Sequence, residues 1–322
     1  MMTVRIGVLN NLRSGRGRSR VHQVLSVLAA HPDVLHLETG SASLVPEALA
    51  DFEKEGVELL VVNGGDGTLQ RVLTELLGRE GGGSWLPRVA LLRGGRTNLS
   101  AIDLGSQRDA ARGLTDLLAA ARAGRLAERE VARPVLRADL GGEDGVQCGI
   151  FFGAGMLYRA VQLTPRYFPE GRAQGLFGAG AVTATLLGRA AFGSLGGVLQ
   201  ADKLQVALDG GPPQTRELRV VMATTAQKLF LGLRPFWGRE PGAVRLTLLA
   251  ADARRLPLAA WGILRGRPPA WATPELGYES HNCERAAFRL DCGVTLDGEL
   301  FSPDPGRALE LTADRRVRFV RA

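Results

Sequence analysis

The first third of the chain alternates two hydrophobic patterns. Compact apolar runs are each followed by a stretch whose apolar positions recur every three or four residues. Val4-Arg5-Ile6-Gly7-Val8-Leu9 reads as a buried strand that ends in the polar loop Asn10 to Gly17. Val21, Val24, Leu25, Leu28 and Ala29 then mark one helical face. A short strand is expected around Val34 to Leu37 and a helix from about Leu44 to Lys54. Glu58-Leu59-Leu60-Val61-Val62 stops at a double glycine, after which Leu69, Val72, Leu73, Leu76 and Leu77 line a second helical face. Val89 to Leu92 reads as a further strand and Asp109 to Ala123 as a further helix. This alternation predicts an α/β domain with a doubly wound parallel sheet, its functional loops at the carboxyl ends of the strands.

After about Pro134 the pattern changes to short β-like runs separated by Gly, Pro and Asp. Val135 to Leu140, Leu204 to Leu208, Leu218 to Ala223, Val244 to Leu249, Ala286 to Leu290 and Val294 to Leu296 are examples. They predict a second, mostly antiparallel β domain. The expected division is 1–133 for the first domain and 134–305 for the second, with about 306–322 packing back on the first. Arg315 to Arg321 alternates like a terminal strand. Leu176 to Leu199 is too short of uninterrupted apolar residues to span a membrane, is rich in Gly and Ala and carries Arg189, which suits a buried helix, with a membrane-touching surface as the alternative.

Composition narrows the function classes. With 45% hydrophobic and 23% charged residues among 322, the chain has enough apolar surface for two cores. No basic segment precedes the first strand, so no signal peptide is expected and the protein is placed in the cytoplasm. Three cysteines and four histidines, at no metal-binding spacing, argue against a zinc site and for reduced thiols. The net charge of +7 is carried by arginine, Lys54, Lys203 and Lys228 being the only lysines. Arginine substituting for lysine on a solvated surface explains this, and so does attraction to a nucleotide or to anionic lipid. Nucleic acid is not an expected partner, because no recognition motif for it occurs.

Asn63-Gly64-Gly65-Asp66-Gly67-Thr68 carries the chemistry. It follows a predicted strand and opens a predicted helix, so backbone N–H groups converge where the helix dipole is positive. Glycines let the main chain approach an anion closely. A carboxylate at Asp66 would repel phosphate unless a cation or proton donor stood between them, so the combination points to Mg²⁺-nucleotide. An ordinary glycine turn is the alternative, and the full string disfavours it.

With these residues the chain resembles the diacylglycerol kinase catalytic family, which includes bacterial lipid kinases, ceramide kinases and sphingosine kinases. The family's opening loop is similar to Asn11-Leu12-Arg13-Ser14-Gly15, its threonine before the second helix to Thr39, and its nucleotide loop to Gly64 through Thr68. Its Gly-Thr-x-Asn loop is similar to Gly95-Arg96-Thr97-Asn98, and its late Asp-Gly-Glu motif to Asp297-Gly298-Glu299. The resemblance implies transfer of the γ-phosphoryl group of ATP to a lipid hydroxyl, in a cleft between the domains. It assigns Asn11, Ser14, Gly15, Thr39, Gly64, Gly65, Asp66, Gly67, Thr68, Gly95, Arg96 and Asn98 to the nucleotide. Glu299 would accept the hydroxyl proton or bind Mg²⁺, Asp66 would organise the metal and the γ-phosphate, and Asp297 would be a further metal ligand. A lipid substrate is the implied partner, with room for peripheral contact with the inner face of an anionic membrane and for a homodimer.

Several positions depart from the family pattern. Arg93 stands where proline is usual, Arg96 where threonine is, Leu99 where the final aspartate is, and Gln70-Arg71 where an Asn-Glu pair is. The Asp-Gly-Leu segment that holds a regulatory Mg²⁺ in some members is replaced near Glu240-Pro241-Gly242, so that site is not carried over. These departures favour, as a second reading, a nucleotide- or lipid-binding pseudokinase. A NAD kinase, which shares the glycine-aspartate loop, is the third.

Overall fold

The computed structural model describes residues 4–12, 18–78, 85–95, 98–167, 200–229 and 232–322. The Gly/Ala-rich segment 176–199 and most of the Gly78 to Ser84 loop lie outside them. The chain divides into two compact units, Met1–Arg133 with Arg316–Ala322, and Pro134–Arg315.

In the first unit β1 (Ile6–Asn11), α1 (Arg18–Ala29), β2 (Leu35–Thr39), α2 (Val45–Lys54), β3 (Leu59–Gly64), α3 (Asp66–Leu77), β4 (Arg88–Arg93), α4 (Leu99–Asp103), α5 (Ala110–Arg122) and β5 (Glu130–Pro134) follow in order. The strand Arg316–Val320, from the chain's last residues, enters the same sheet between β4 and β5. The order is therefore β2-β1-β3-β4, then Arg316–Val320, then β5. Parallel pairing joins β1 to β2 and β3, β3 to β4, and β4 to the terminal strand.

Every residue of β3 is buried, as a parallel strand covered on both faces requires. On one face, Val8, Val61, Ala90 and Leu92 pack in one cluster with Val24 and Leu28 of α1 and Leu114 and Leu117 of α5. On the other face α2 lies against α3. There Gly7 leaves the space that the Phe52 ring fills: a Cβ at Gly7 would stand 2.8 Å from the ring. Helix α5 starts where Asp109 accepts the Arg112 N–H at 3.1 Å, a side-chain N-cap.

The second unit contains β6 (Leu136–Asp139), β7 (Val146–Gly149), β8 (Phe151–Gly155), α6 (Met156–Tyr167), β9 (Asp202–Leu208), β10 (Gln214–Thr224) and β11 (Val244–Ala250). It continues with α7 (Leu256–Leu264), β12 (Tyr278–Cys283), β13 (Arg285–Arg289), β14 (Val294–Leu296), β15 (Glu299–Phe301) and β16 (Leu309–Thr312), which makes Arg316–Val320 β17. The strands form one eleven-stranded antiparallel sheet around a core that includes Leu136, Phe152, Leu246, Phe288 and Leu311. β10 organises it: on one side its first half pairs with β9 and its second half with β8, and its pairing with β11 shifts register between Leu218 and Val220.

The return to the first unit begins at Arg316 and not near 306. β16 pairs with β13 and β6, which keeps that stretch in the second unit. The sequence pattern also missed α4, α6, α7, β5, β7, β8, β12, β15 and β16. All of these strands are three to six residues long, and β12 mixes four polar positions, Glu279 to Asn282, with buried Tyr278 and Cys283. Among the described residues no helix is long and apolar enough to cross a membrane.

Candidate functional site

Parallel strands that end together bring polar residues to one edge of the first unit. The register sets Asn10 opposite Asn63, Asn11 opposite Thr39, and Gly64 opposite Arg93. β2 and β3 leave β1 on opposite sides, so Asn10 and Asn63 stand where the winding reverses, the position at which open α/β sheets bind ligands. Both are buried, and Asn63 Nδ2 donates to Asn10 Oδ1 at 2.7 Å. Asn10 Nδ2, Asn63 Oδ1 and the buried Thr39 Oγ1 have no hydrogen-bond partner within the described residues. An unsatisfied buried polar group costs about 1–3 kcal/mol. Three such groups at one edge leave a donor-and-acceptor set that a polar ligand or water can pair. Asn63 heads the string 63–68 without a role of its own there and Asn10 has none either, although an asparagine ending each of two buried apolar runs was the available signal.

Two glycine loops rest on each other beside these residues. A Cβ at Gly95 would overlap Gly65 Cα, and one at Gly94 would stand 2.5 Å from Asn63 Oδ1. A Cβ at Gly64 would lie 2.7 Å from Thr68 Cβ. The sequence reading gave these glycines to an approaching anion. The structure adds an internal reason, the close approach of the β3–α3 and β4–α4 connections.

Asp66, the first residue of α3, fastens the same two connections. Its Oδ2 accepts the Leu99 N–H and its Oδ1 the Ser100 N–H, each at 3.1 Å, so the carboxylate caps the first turn of α4. Burial of the carboxyl raises its pKa, while the N–H groups of Ser100, Leu99 and Asn98 pull it down. Asn98 precedes that turn with a left-handed φ of 53°. Its Oδ1 accepts the Gly95 N–H and its Nδ2 donates to the Gly95 carbonyl, both at 2.7 Å. The amide thereby closes the loop as a backbone partner would.

Asn11 Nδ2 donates to Oγ1 of buried Thr68 at 2.8 Å, tying the end of β1 to the start of α3, where Gly67 also lies. Ser14, Gly15 and Arg96 lie outside the described residues. The departures from the family pattern have local explanations. Leu99 is 3% exposed, so an apolar side chain fills the interior where the family places a carboxylate. Buried Gln70 donates to Thr74 Oγ1 at 3.1 Å, and Arg71 pairs with Glu75 at 2.9 Å along α3. Arg93, at the site edge of β4, has no partner for Nε among the described residues. Burial and then the neighbouring Arg108 charge lower its pKa.

In the second unit Asp297 and Gly298 form the two-residue turn between β14 and β15, with φ of 52° and 92°. Asp297 is 4% exposed, and its carboxylate accepts the Ile150 and Phe151 N–H groups at 2.9 Å each. Both carboxylate oxygens of Asp297 thus anchor the β7–β8 junction. Glu299, two residues on, keeps its surface in solvent although surrounding protein raises its pKa. Glu240 accepts the Asn282 N–H at 3.2 Å and faces His281 Nδ1 at 3.4 Å. Among the described residues no group of three His, Cys, Asp or Glu is placed to hold a metal ion. Burial pushes the Cys148 and Cys283 thiols up to about 12, so both stay protonated at neutral pH.

The first unit is thus a doubly wound domain with a glycine-lined polar edge, and the second a large antiparallel sheet, a plan shared by two groups of kinases. Residues 5–128 match the diacylglycerol kinase catalytic domain family. Comparison with curated protein sequences gives no match. A solved diacylglycerol kinase structure from Bacillus anthracis aligns over 100% of this chain and 98% of its own, with TM-score 0.63 and 15% identity. The yeast NADH kinase, solved with NADH, aligns over 100% of this chain and 84% of its own, with TM-score 0.52 and 9% identity. Both likenesses concern the fold.

Proposed function

We propose that the chain is a lipid kinase that transfers the γ-phosphoryl group of ATP to a lipid hydroxyl. The observation that carries this reading is the polar edge at the sheet's reversal point, within the segment that matches the diacylglycerol kinase catalytic domain. Nucleotide fits there on chemical grounds. Asn10 Nδ2 and Thr39 Oγ1 offer donors, Asn63 Oδ1 offers an acceptor, and Arg93 supplies a guanidinium suited to phosphate oxygens. The Gly64-Gly65 and Gly94-Gly95 backbones leave no side chain in the way.

Mg²⁺ bound with the nucleotide would neutralise charge on the transferring group. Since Asp66 already accepts two backbone N–H groups, its remaining lone pairs are what it offers to such an ion or its waters. In the transfer the lipid hydroxyl oxygen bonds to the γ-phosphorus, and the bond from that phosphorus to the β–γ bridging oxygen breaks, releasing ADP. The role of accepting the hydroxyl proton is the one the resemblance gives to Glu299. Its raised pKa makes it a stronger base than an ordinary glutamate.

Radiolabelled phosphoryl transfer to diacylglycerol, monoacylglycerol, phosphatidylglycerol, ceramide and sphingosine tests the proposal, and absence of transfer to all of them with several divalent cations overturns it. The likeness to the NADH kinase motivates the second reading. Formation of NADP or NADPH, with no lipid product, would establish it.

A further inference from the structure

Helix α7 is apolar throughout, Leu256-Pro257-Leu258-Ala259-Ala260-Trp261-Gly262-Ile263-Leu264, yet only one side of it meets the core. Ala259 and Ile263, one turn apart, are buried with Tyr278 and Ala272, and Leu256, Trp237 and Trp271 pack against them. On the opposite side Leu258 is 72% exposed and Trp261, three residues on, is 62% exposed. These are the most exposed large hydrophobic side chains among the described residues. The spacing puts both on one face, so water meets a contiguous apolar ridge, with exposed Pro257 beside it.

Charge frames this ridge. Arg254 and Arg255 precede the helix and Arg265 and Arg267 follow it, all four exposed, and no acidic residue lies within it. Asp252 and Glu275 are the exposed carboxylates of the flanking segments. The Arg265 guanidinium sits 4.1 Å from the centre of the Trp261 ring, and that of Arg255 sits 5.9 Å from the Trp271 ring. Such pairs hold the cations at the rim of the apolar surface. Aliphatic and indole side chains between arginines suit the boundary between headgroups and acyl chains, where indole rings collect and guanidinium groups reach phosphate.

We propose that α7 is a membrane-docking element, with Leu258 and Trp261 entering the outer acyl region of an anionic bilayer while Arg254, Arg255, Arg265 and Arg267 contact lipid phosphates. The four arginines favour an anionic bilayer over an apolar protein groove. Docking here would hold the second unit at the surface where a lipid hydroxyl resides. The inference rests on the exposed helix and not on the phosphotransfer reading, although it deepens that reading.

The test is co-sedimentation of the full chain with vesicles of phosphatidylcholine alone and of phosphatidylcholine mixed with phosphatidylglycerol. Binding is expected only to the mixed vesicles and should weaken as salt rises. Leu258→Ser with Trp261→Ser should reduce it about tenfold or more, and Arg265→Ala with Arg267→Ala should reduce both the binding and its salt dependence. Leu44→Ser, at an exposed leucine of the first unit, should leave it unchanged. Failure of the chain to bind anionic vesicles overturns the proposal, as does binding indifferent to the Leu258 and Trp261 substitutions. A concentration-dependent dimer in sedimentation velocity, abolished by those substitutions, overturns it in favour of a second copy. Phosphoryl transfer to diacylglycerol in detergent micelles separates the two readings: docking variants should keep it, whereas loss of the kinase reading would show as no transfer by any form of the chain.

Discussion

Asp66 and Leu99 are joined by a hydrogen bond of 3.1 Å from the Leu99 backbone N–H to Oδ2, across two connections that also meet through Gly65 and Gly95. The aspartate of the 64–68 string thus also fixes the loop that follows the next strand. Replacing Asp66 by alanine leaves the Leu99 and Ser100 N–H groups without these acceptors. Urea unfolding should show a loss of about 2–4 kcal/mol, from the cost of leaving buried donors unpaired. On the proposed function, ATP affinity should fall in the same variant.

Glu299 separates chemistry from stability. It is exposed and ends a hairpin turn, so Glu299→Gln should leave the thermal midpoint unchanged. If it takes the hydroxyl proton, kcat should fall about 10²–10⁴-fold with the KM for ATP unchanged. A carboxylate must be ionised to act as a base, so activity is present above its pKa and lost as pH falls through it. Because this pKa is raised, the acid limb of kcat/KM should lie above the usual glutamate range. That limb should disappear in the glutamine variant.

Gly95 and Gly40 form a matched pair. A Cβ at Gly95 meets the Gly65 backbone, whereas one at Gly40 meets nothing within 4 Å. Gly95→Ala should destabilise by about 1–3 kcal/mol, as overpacking does. It should also weaken ATP binding by calorimetry, while Gly40→Ala should change neither.

Asn98 holds a left-handed backbone and two hydrogen bonds to Gly95. Asn98→Gly removes the bonds but keeps the conformation accessible, whereas Asn98→Ala loses both. The alanine variant should be about 1 kcal/mol less stable than the glycine variant in urea unfolding, the strain of a left-handed alanine.

Asp297→Asn should cost about 2–4 kcal/mol in unfolding free energy, since two backbone N–H groups lose a charged acceptor. The concentration of Mg²⁺ needed for half-maximal activity should not move, the outcome opposite to that of a metal ligand.

The α/β half of the molecule was legible because β1, β3 and β4 are almost wholly buried runs and its helices carry one apolar face. β3 and α3 follow that rule along their length. Burial alternates along β9 and β13, which are visible by period two. β12 was not, because Ser280 is buried through hydrogen bonds to Thr247, the Leu246 carbonyl and the Trp237 N–H, and not through apolar packing. α7 hid for the opposite reason, since a helix apolar on both faces has no periodic signal. At the candidate site, glycine and aspartate types were readable from the string 64–68. The Asp66 contact with α4 was not, since it joins residues more than thirty positions apart.

The place of β17 between β4 and β5 sets a timetable for synthesis. More than two hundred residues separate β4 from β17, so at roughly 5–20 residues per second the ribosome needs on the order of ten to forty seconds to deliver the missing strand. During that interval the first unit waits with an unfilled slot in its sheet while the whole of the second unit is made. A deletion of only the last seven residues would therefore unravel the end of the molecule that was translated first.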